Sequence, residues 1–112
     1  MPEAAEFLNG FGLVRGAQFG GYILDNAIST HESVKRYQEY RYNITLTFRR
    51  LGSGTYDDFF HTVMNKISQQ PIIYGIRNPY HCIIDPPQNG DIIQDYQEHI
   101  IFKLIGHSYR VN

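Results

Sequence analysis

The feature that most constrains the fold is a strictly alternating run between residues 40 and 50. In YRYNITLTFRR every second residue from Tyr40 to Phe48 is aromatic or aliphatic, and the residues between them are polar or basic. Successive side chains of a β-strand point to opposite faces, so this pattern predicts a strand with one apolar and one polar face. Another element must therefore cover the apolar face.

An amphipathic helix is predicted directly after this strand, beyond the glycine-bearing turn LGSG. Thr55 and Asp58 have the spacing of a capping box, in which side chains bond the free amides of the first helical turn. Apolar residues then recur at helical spacing, namely Tyr56, Phe59, Phe60, Val63, Met64 and Ile67. The pattern predicts one main helix over residues 55–68, packed on one face of a sheet.

The remaining segments are rich in strand signals. Residues 21–29 predict a strand with Tyr22, Leu24 and Ile28 on one side, whereas residues 30–39 fit either a short helical turn or an exposed loop. PIIYGI and YHCIID predict one bent strand or a hairpin, and YQEHIIFKLIGHSYRV predicts the closing strand. The predicted fold class is therefore α+β, with a mostly antiparallel sheet of about four strands.

A chain of 112 residues has the length of a single domain. We assign residues 21–112 to that domain. Residues 1–20 are punctuated by glycines and predict either a short helix over residues 2–9 or a mobile arm. The N-terminus has no signal-peptide pattern, and no apolar stretch approaches the length of about 20 residues that spans a bilayer, so we expect no membrane contact.

Charge and residue spacing argue against a catalytic or metal-binding protein. Ten basic and eleven acidic side chains give a net charge of -1, whereas binding to nucleic acid requires clustered positive charge. The five histidines and the single cysteine have no recognised metal-ligand spacing. Because strand neighbours point apart, His81 and Cys82 cannot act as base and thiolate, and Cys82 is predicted to fill the core. We expect no enzyme, metal, cofactor or small-molecule substrate.

The turn between the predicted strand and helix could be a phosphate site or a structural corner. It lacks the lysine of a phosphate-binding loop, and Asp57 and Asp58 occupy the positive end of the helix dipole, where they would repel an anion. We predict a corner. Arg41, Arg49 and Arg50 could face single-stranded bases, but the neutral net charge favours a solvated strand face or pairs with acids of a neighbouring subunit.

Adjacent isoleucines predict that both faces of the sheet are apolar. Such pairs occur at residues 72–73, 83–84, 92–93 and 100–101, and strand neighbours point to opposite faces. One helix covers one face, and the N-terminal segment could cover part of the other. The rest of that face needs a second subunit, a larger assembly, or residues 30–39 folded back over it. The candidate interface residues are Tyr40, Arg41, Tyr42, Arg49, Arg50, Tyr74, Tyr80, Tyr96 and Tyr109.

The segments GGYILDNAIST, YRYNITLTFRRLGSGTYDDFFHTVMNKI and EHIIFKLIGHSYRV together resemble the tail-terminator and neck-terminator proteins of tailed bacteriophages over about residues 21–111. The resemblance lies in the order of elements, so no functional residue is carried over. It implies a β-β-α-β-β sandwich whose subunits form rings, commonly hexameric, that stop tail-tube growth and join tail to neck. It also implies other tail or neck proteins as partners, and a location in the virion after assembly in the host cytoplasm.

The expected function is thus a ring-forming structural subunit of a phage tail or neck, acting as a homo-oligomer. The alternative is a small viral or bacterial binding module that acts on single-stranded nucleic acid or inhibits a host protein. A third hypothesis is an enzyme that uses Cys82, and its minimum requirement is a thiol that reacts at neutral pH without unfolding.

Overall fold

The computed structural model describes residues 8–35, 39–68, 72–74, 80–87, 92–95 and 98–110. The strands are β1 (Gln18–Phe19), β2 (Tyr22–Lys35), β3 (Glu39–Arg50), β4 (Ile72–Tyr74), β5 (Tyr80–Ile84), β6 (Ile92–Asp95) and β7 (His99–Arg110). The helix α1 (Tyr56–Ile67) lies between β3 and β4.

The strands form one sheet in which every described pairing is antiparallel. The order is β1-β2-β3-β7-β5-β4. β7 pairs along one side with β3, and along its other side first with β6 and then with β5. The predicted α+β class with one main helix is confirmed. β4 and β5 pair antiparallel, as the hairpin alternative predicted. The sheet has more strands than predicted, because two short strands, β1 and β6, were not expected.

Residues 30–35 continue β2 rather than forming a helical turn or a loop. Pairing between β2 and β3 runs from Tyr22 opposite Arg50 to Lys35 opposite Glu39, which makes a long hairpin. These residues therefore lie in the plane of the sheet, and the expectation that they fold back over one of its faces is wrong for residues 30–35. Residues 36–38 lie outside the described ranges.

A β-bulge between Leu24 and Asn26 changes the side on which Ile28 lies. Leu24 is opposite Phe48 and Asn26 is opposite Thr47, so Asp25 is an extra residue between two adjacent partners. An extra residue inverts the alternation beyond it. The prediction that Ile28 shares a face with Tyr22 and Leu24 is therefore wrong, since strict alternation cannot reveal a bulge.

Helix α1 has the predicted ends and packs through the predicted stripe. The side chain of Thr55 accepts a hydrogen bond from the amide of Asp58 at 3.4 Å and so caps the first turn. Phe59, Val63 and Ile67 are buried. The ring of Phe59 lies 4.6 Å from that of Tyr22, 4.7 Å from Phe48 and 5.6 Å from Phe102 between centroids. One aromatic side chain thus holds α1 on three strands.

The segment before β2 belongs to the folded domain, so the expectation of a mobile arm is wrong for residues 8–20. Leu8, Phe11, Leu13 and Phe19 are buried in the same cluster as the sheet and helix. The amide of Leu24 also donates to the carbonyl of Ala17 at 2.8 Å. Residues 8–10 are helical, and the rest of the predicted short helix lies outside the described residues.

The core lies on the face of the sheet that α1 covers, which we call the helix face. Its buried strand residues include Leu24, Tyr42, Ile44, Leu46, Phe48, Cys82, Ile100, Phe102 and Leu104. The opposite face is called the open face, because the described segments outside the sheet that join the core, residues 8–17 and α1, pack on the helix face. Within the described ranges, no helix combines the length and the apolar character needed to cross a membrane.

Candidate interaction surface

The open face is a regular array of side chains fixed by strand register. Residues directly opposite in an antiparallel sheet share a face, so Ile28, Thr45 and Lys103 form one row across β2, β3 and β7. The neighbouring rows comprise Asn26, Thr47 and Ile101, then Thr30, Asn43 and Ile105, then Glu32, Arg41, His107 and Ile83, with Tyr109 opposite His81 beyond them.

Apolar side chains on the open face are only partly covered. Ile28 is 54% exposed and Tyr109 is 37% exposed, while Ile83, Ile101 and Ile105 are half-buried. At two isoleucine pairs the side chains divide as predicted, since Ile84 and Ile100 are buried while their partners Ile83 and Ile101 lie on the open face. The sheet therefore carries apolar residues on both faces in the described ranges.

Two basic side chains of the open face, Arg49 and His107, lie near acids of the same chain. Arg49 donates from Nε to Oδ2 of Asp25 at 3.1 Å, and its Nη2 lies 3.4 Å from Oδ1. His107 Nδ1 lies 3.3 Å from Oδ1 of Asp85, and Arg41 is opposite Glu32. Arg49 and Arg50 thus lie near acids of the same chain, Asp25 and Glu98, and their pairing with a neighbour's acids stays a prediction.

Arg50 is a structural residue at the corner between β3 and α1. Its Nε donates to the carbonyl oxygen of Gly54 at 2.7 Å, and its Nη1 lies 3.5 Å from Glu98 Oε1. Leu51 donates its amide to the carbonyl of Gly21 at 2.8 Å, which fastens the turn to the start of β2. The guanidinium is directed to protein groups here, and the acids Asp57 and Asp58 follow in the first helical turn. This geometry agrees with the predicted corner.

Two of the candidate interface tyrosines are in the core. Tyr42 is 0% exposed and Tyr80 is 2% exposed, so neither side chain can reach a neighbouring subunit, and we correct that expectation. Their strands place them on the helix face, where alternation alone does not distinguish a buried tyrosine from one at an interface. Tyr40 lies half-buried on the same face, with its ring 6.1 Å from that of Tyr80.

The other candidate tyrosines have different locations. Tyr109 is on the open face, and its hydroxyl oxygen lies 2.5 Å from His81 Nδ1, so the two side chains share a hydrogen bond. Tyr74 belongs to β4, of which only the backbone is described. Tyr96 lies outside the described residues. The candidate interface residues that the structure places at the surface are therefore Arg41, Arg49 and Tyr109, with Tyr40 and Arg50 partly exposed.

The buried polar groups near β5 form a neutral cluster. Ser108 donates from Oγ to the hydroxyl of Tyr42 at 3.3 Å, and the thiol of Cys82 lies 4.0 Å from the carbonyl of Tyr80. Burial raises the pKa of the Tyr42 hydroxyl to about 12. Burial also raises the pKa of the Cys82 thiol to about 12, so this thiol is protonated at neutral pH. These groups act as packed core side chains.

The residues that the structure describes contain no group of three or more histidine, cysteine or acidic side chains placed to hold a metal ion. His81, His99 and His107 lie along the open face of β5 and β7, separated by the pitch of the strands. The fold defines a class of protein, an α+β protein whose antiparallel sheet carries one main helix, on the helix face, in the described ranges. No protein family, curated protein sequence or solved structure matches the chain.

Sequence reasoning missed one further feature, the outer edge of β2. It left residues 30–39 open between a helical turn and a loop, so an edge strand of this length was not expected. A usable signal was present, since residues 22–35 contain neither glycine nor proline, the two residues that most often interrupt a strand.

Proposed function

We propose that the chain is a structural subunit that self-associates into a ring, as a tail terminator or neck-to-tail connector of a tailed bacteriophage. The order of two long strands, one helix and further strands agrees with the element order that the resemblance implies. The partners are further copies of the chain and other tail or neck proteins, and the location is the virion.

The observation that carries this proposal is the composition of the open face. Ile28, Ile101 and Ile105 are apolar side chains on this face. The exposed Lys103 lies between Ile101 and Ile105 on β7, and the charge pair between Arg49 and Asp25 lies towards one end. An antiparallel sheet that simply faces water alternates polar residues on its outer side, so the isoleucines here favour a protein partner.

The native mass of the chain tests this proposal. Light scattering after size exclusion should give a multiple of the 13.0 kDa subunit mass, and negative-stain images should show closed rings. Ile105→Lys places a charge on the open face and should dissociate the ring. Asn65→Lys, on the exposed side of α1, is the matched control and should leave it intact. A stable monomer at micromolar concentration would refute the proposal.

A second candidate is the binding module, and the cations of the open face favour it. Arg41 and Lys103 are exposed on the same face as the exposed ring of Tyr109. Cations beside an aromatic ring suit single-stranded nucleic acid, whose affinity falls as salt rises. Binding of a labelled oligonucleotide that weakens with salt and is lost in Arg41→Ala would favour this function over the ring.

A further inference from the structure

Among the segments that the structure describes, none pairs with the outer edge of β2 beyond the first residues of the strand. β1 pairs with only Tyr22 and Ile23, and residues 16 and 17 bond the backbone of Leu24. From Asn26 to Glu32, β3 is the only strand in the described ranges that pairs with β2. Alternate backbone amides and carbonyls of an edge strand point away from its sheet, so this edge can accept another strand.

The sequence of this edge lacks the features that normally prevent strand addition. Proteins protect edges with proline, lysine, inward charges or very short strands. Residues 26–32 read NAISTHE, which has no proline or lysine and a single acid at its end. The bulge at Asp25 lies before this stretch and leaves its pairing with β3 regular.

Two side chains in the middle of the edge have an incomplete environment. Ile28 is more exposed than any other large apolar residue in the described ranges, at 54%. The neighbouring Ser29 has a buried Oγ for which the described part of the molecule offers no hydrogen-bond partner. Buried hydroxyls in folded proteins are normally bonded, so this hydroxyl, on the helix face opposite Ile44, would gain from a rotation that brings it to a partner at the strand edge.

We propose that residues 26–32 of β2 pair antiparallel with the same residues of a second copy, about a two-fold axis that passes beside Ser29. This inference rests on the proposed self-association and identifies one of its contact surfaces. In this register Ser29 is opposite Ser29, Ile28 is opposite Thr30, and Asn26 is opposite Glu32.

The register satisfies both incomplete side chains and opposes no like charges. Directly opposite residues have Cβ atoms about 4.5–5.5 Å apart, so a rotation about χ1 lets one Ser29 hydroxyl donate to the other. Ile28 packs against Thr30 of the second copy, and β-branched pairs of this kind stabilise antiparallel sheets. The helix faces of the two copies lie on the same side, and the two sheets become one continuous sheet.

A contact of this kind is isologous and closes after two copies. A ring formed through the open face is a separate, head-to-tail contact. When both contacts form, the two-fold pairs join two rings into a particle with dihedral symmetry. The edge contact can therefore be tested independently of the ring.

Cross-linking of introduced cysteines tests the register. Ser29→Cys places two thiols opposite each other, with Cα atoms close enough for a disulfide. As the bond forms, one oxidised glutathione accepts the two electrons and the two thiol protons and leaves as two molecules of reduced glutathione. Ala27→Cys is the matched control on the same face of β2, because its two copies lie about 13 Å apart along the strands. The native Cys82 is fully buried and does not contribute.

Ser29→Cys should convert to covalent dimer at least about ten times faster than Ala27→Cys. Equal rates for the two variants, or no dimer from Ser29→Cys in a folded protein, would overturn the inference. An assembled wild-type ring with no Ser29→Cys dimer would refute the edge contact alone, whereas a covalent dimer without rings would refute the proposed function alone. A monomeric wild type, together with no cross-linked dimer of Ser29→Cys, would refute both the edge contact and the ring. The edge of β2 could then pair only with a strand from another protein.

Hydrogen exchange on the wild-type chain provides a measurement that needs no variant. Amides of residues 26–32 that bond a second copy should exchange more slowly as protein concentration rises, while amides of α1 should be unaffected. Exchange of residues 26–32 that is independent of concentration across the range where the mass changes would also overturn the inference.

Discussion

Nε of Arg50 donates a 2.7 Å hydrogen bond to the carbonyl oxygen of Gly54, and this bond joins the end of β3 to the start of α1. The backbone amide of Arg50 also donates to the carbonyl of Glu98 at 2.8 Å, just before β7. One residue thus connects the corner to two central strands. Helix α1 packs on the helix face only if this corner fixes the orientation of α1 relative to β3.

Replacing Arg50 should lower stability more than replacing its neighbour. Arg50→Ala removes a part-buried, charge-assisted hydrogen bond and should lower the free energy of unfolding by about 1.5–3 kcal/mol. Arg49→Ala is the control, since its pair with Asp25 is exposed and exposed pairs contribute about 0–1 kcal/mol. Urea unfolding of both variants measures the difference. Equal losses would show that the corner bond has no special role.

The turn beside that bond should not tolerate a side chain at Gly54. A Cβ built there lies 2.4 Å from the carbonyl oxygen of Gly21, a rigid backbone atom. Gly54→Ala should therefore separate the turn from β2 and destabilise the protein by more than the about 1–2 kcal/mol that a left-handed backbone costs alanine. Gly52→Ala provides that comparison, because Gly52 has a φ of +52° and open space around its Cβ. Thermal unfolding of the two variants should rank them in this order.

Stability should fall in alkaline solution because two buried groups resist ionisation. The Tyr42 hydroxyl has its pKa raised from 10.0 to about 12 and the Cys82 thiol from 9.0 to about 12, mainly by burial. Above about pH 9 the unfolded chain releases these protons while the folded chain retains them. The free energy of unfolding then decreases as pH rises, until about pH 12.

Tyr42→Phe isolates the contribution of the tyrosine. The variant should be less stable at neutral pH, since Ser108 loses its partner, and a buried unsatisfied hydroxyl costs about 1–3 kcal/mol. Between pH 10 and 12, however, its stability should decline less steeply than that of the wild type. Urea titrations at a series of pH values measure both effects. Parallel curves for the two proteins would contradict the assigned burial of Tyr42.

The Cys82 thiol should react slowly with a thiol reagent in the folded protein. Its side chain is 0% exposed and its pKa is raised to about 12, so both access and the thiolate form are restricted at neutral pH. We expect labelling by a chromogenic disulfide at pH 7.5 to become fast only in denaturant. Rapid stoichiometric labelling of the folded chain would instead support the hypothesis of an enzyme that uses this thiol.

The sequence predicted the elements that are specified by their own residues. The alternation from Tyr40 to Phe48 determines β3, and the Thr55 cap with its apolar stripe determines the bounds of α1. The partners of Arg49 and Arg50 depend on distant segments, so the sequence could not identify them. The burial of Tyr42 likewise depends on packing on the helix face rather than on its own strand pattern.

The segments that prediction missed have weak or misleading local signals. From Ser29 to Ser33 every residue is polar, so the alternation of apolar and polar residues that indicates a strand is missing and the continuation of β2 could not be predicted. Glycines around Phe11 and Leu13 suggested a flexible lead-in, although both side chains are buried in the core. The side chains that share the open face are determined by strand register, which the sequence does not reveal. The paired isoleucines predicted only that this face would carry apolar residues.

The bulge at Asp25 has a consequence for variation in chain length. Because Asp25 has no counterpart on β3, its deletion leaves Leu24 and Asn26 opposite the same neighbours as before. Deletion of any single residue between positions 27 and 32 instead moves the side chains of part of the strand from the helix face to the open face, and the reverse. Related chains that are one residue shorter in this region should therefore lack the residue equivalent to Asp25. In those chains β2 should run without a bulge.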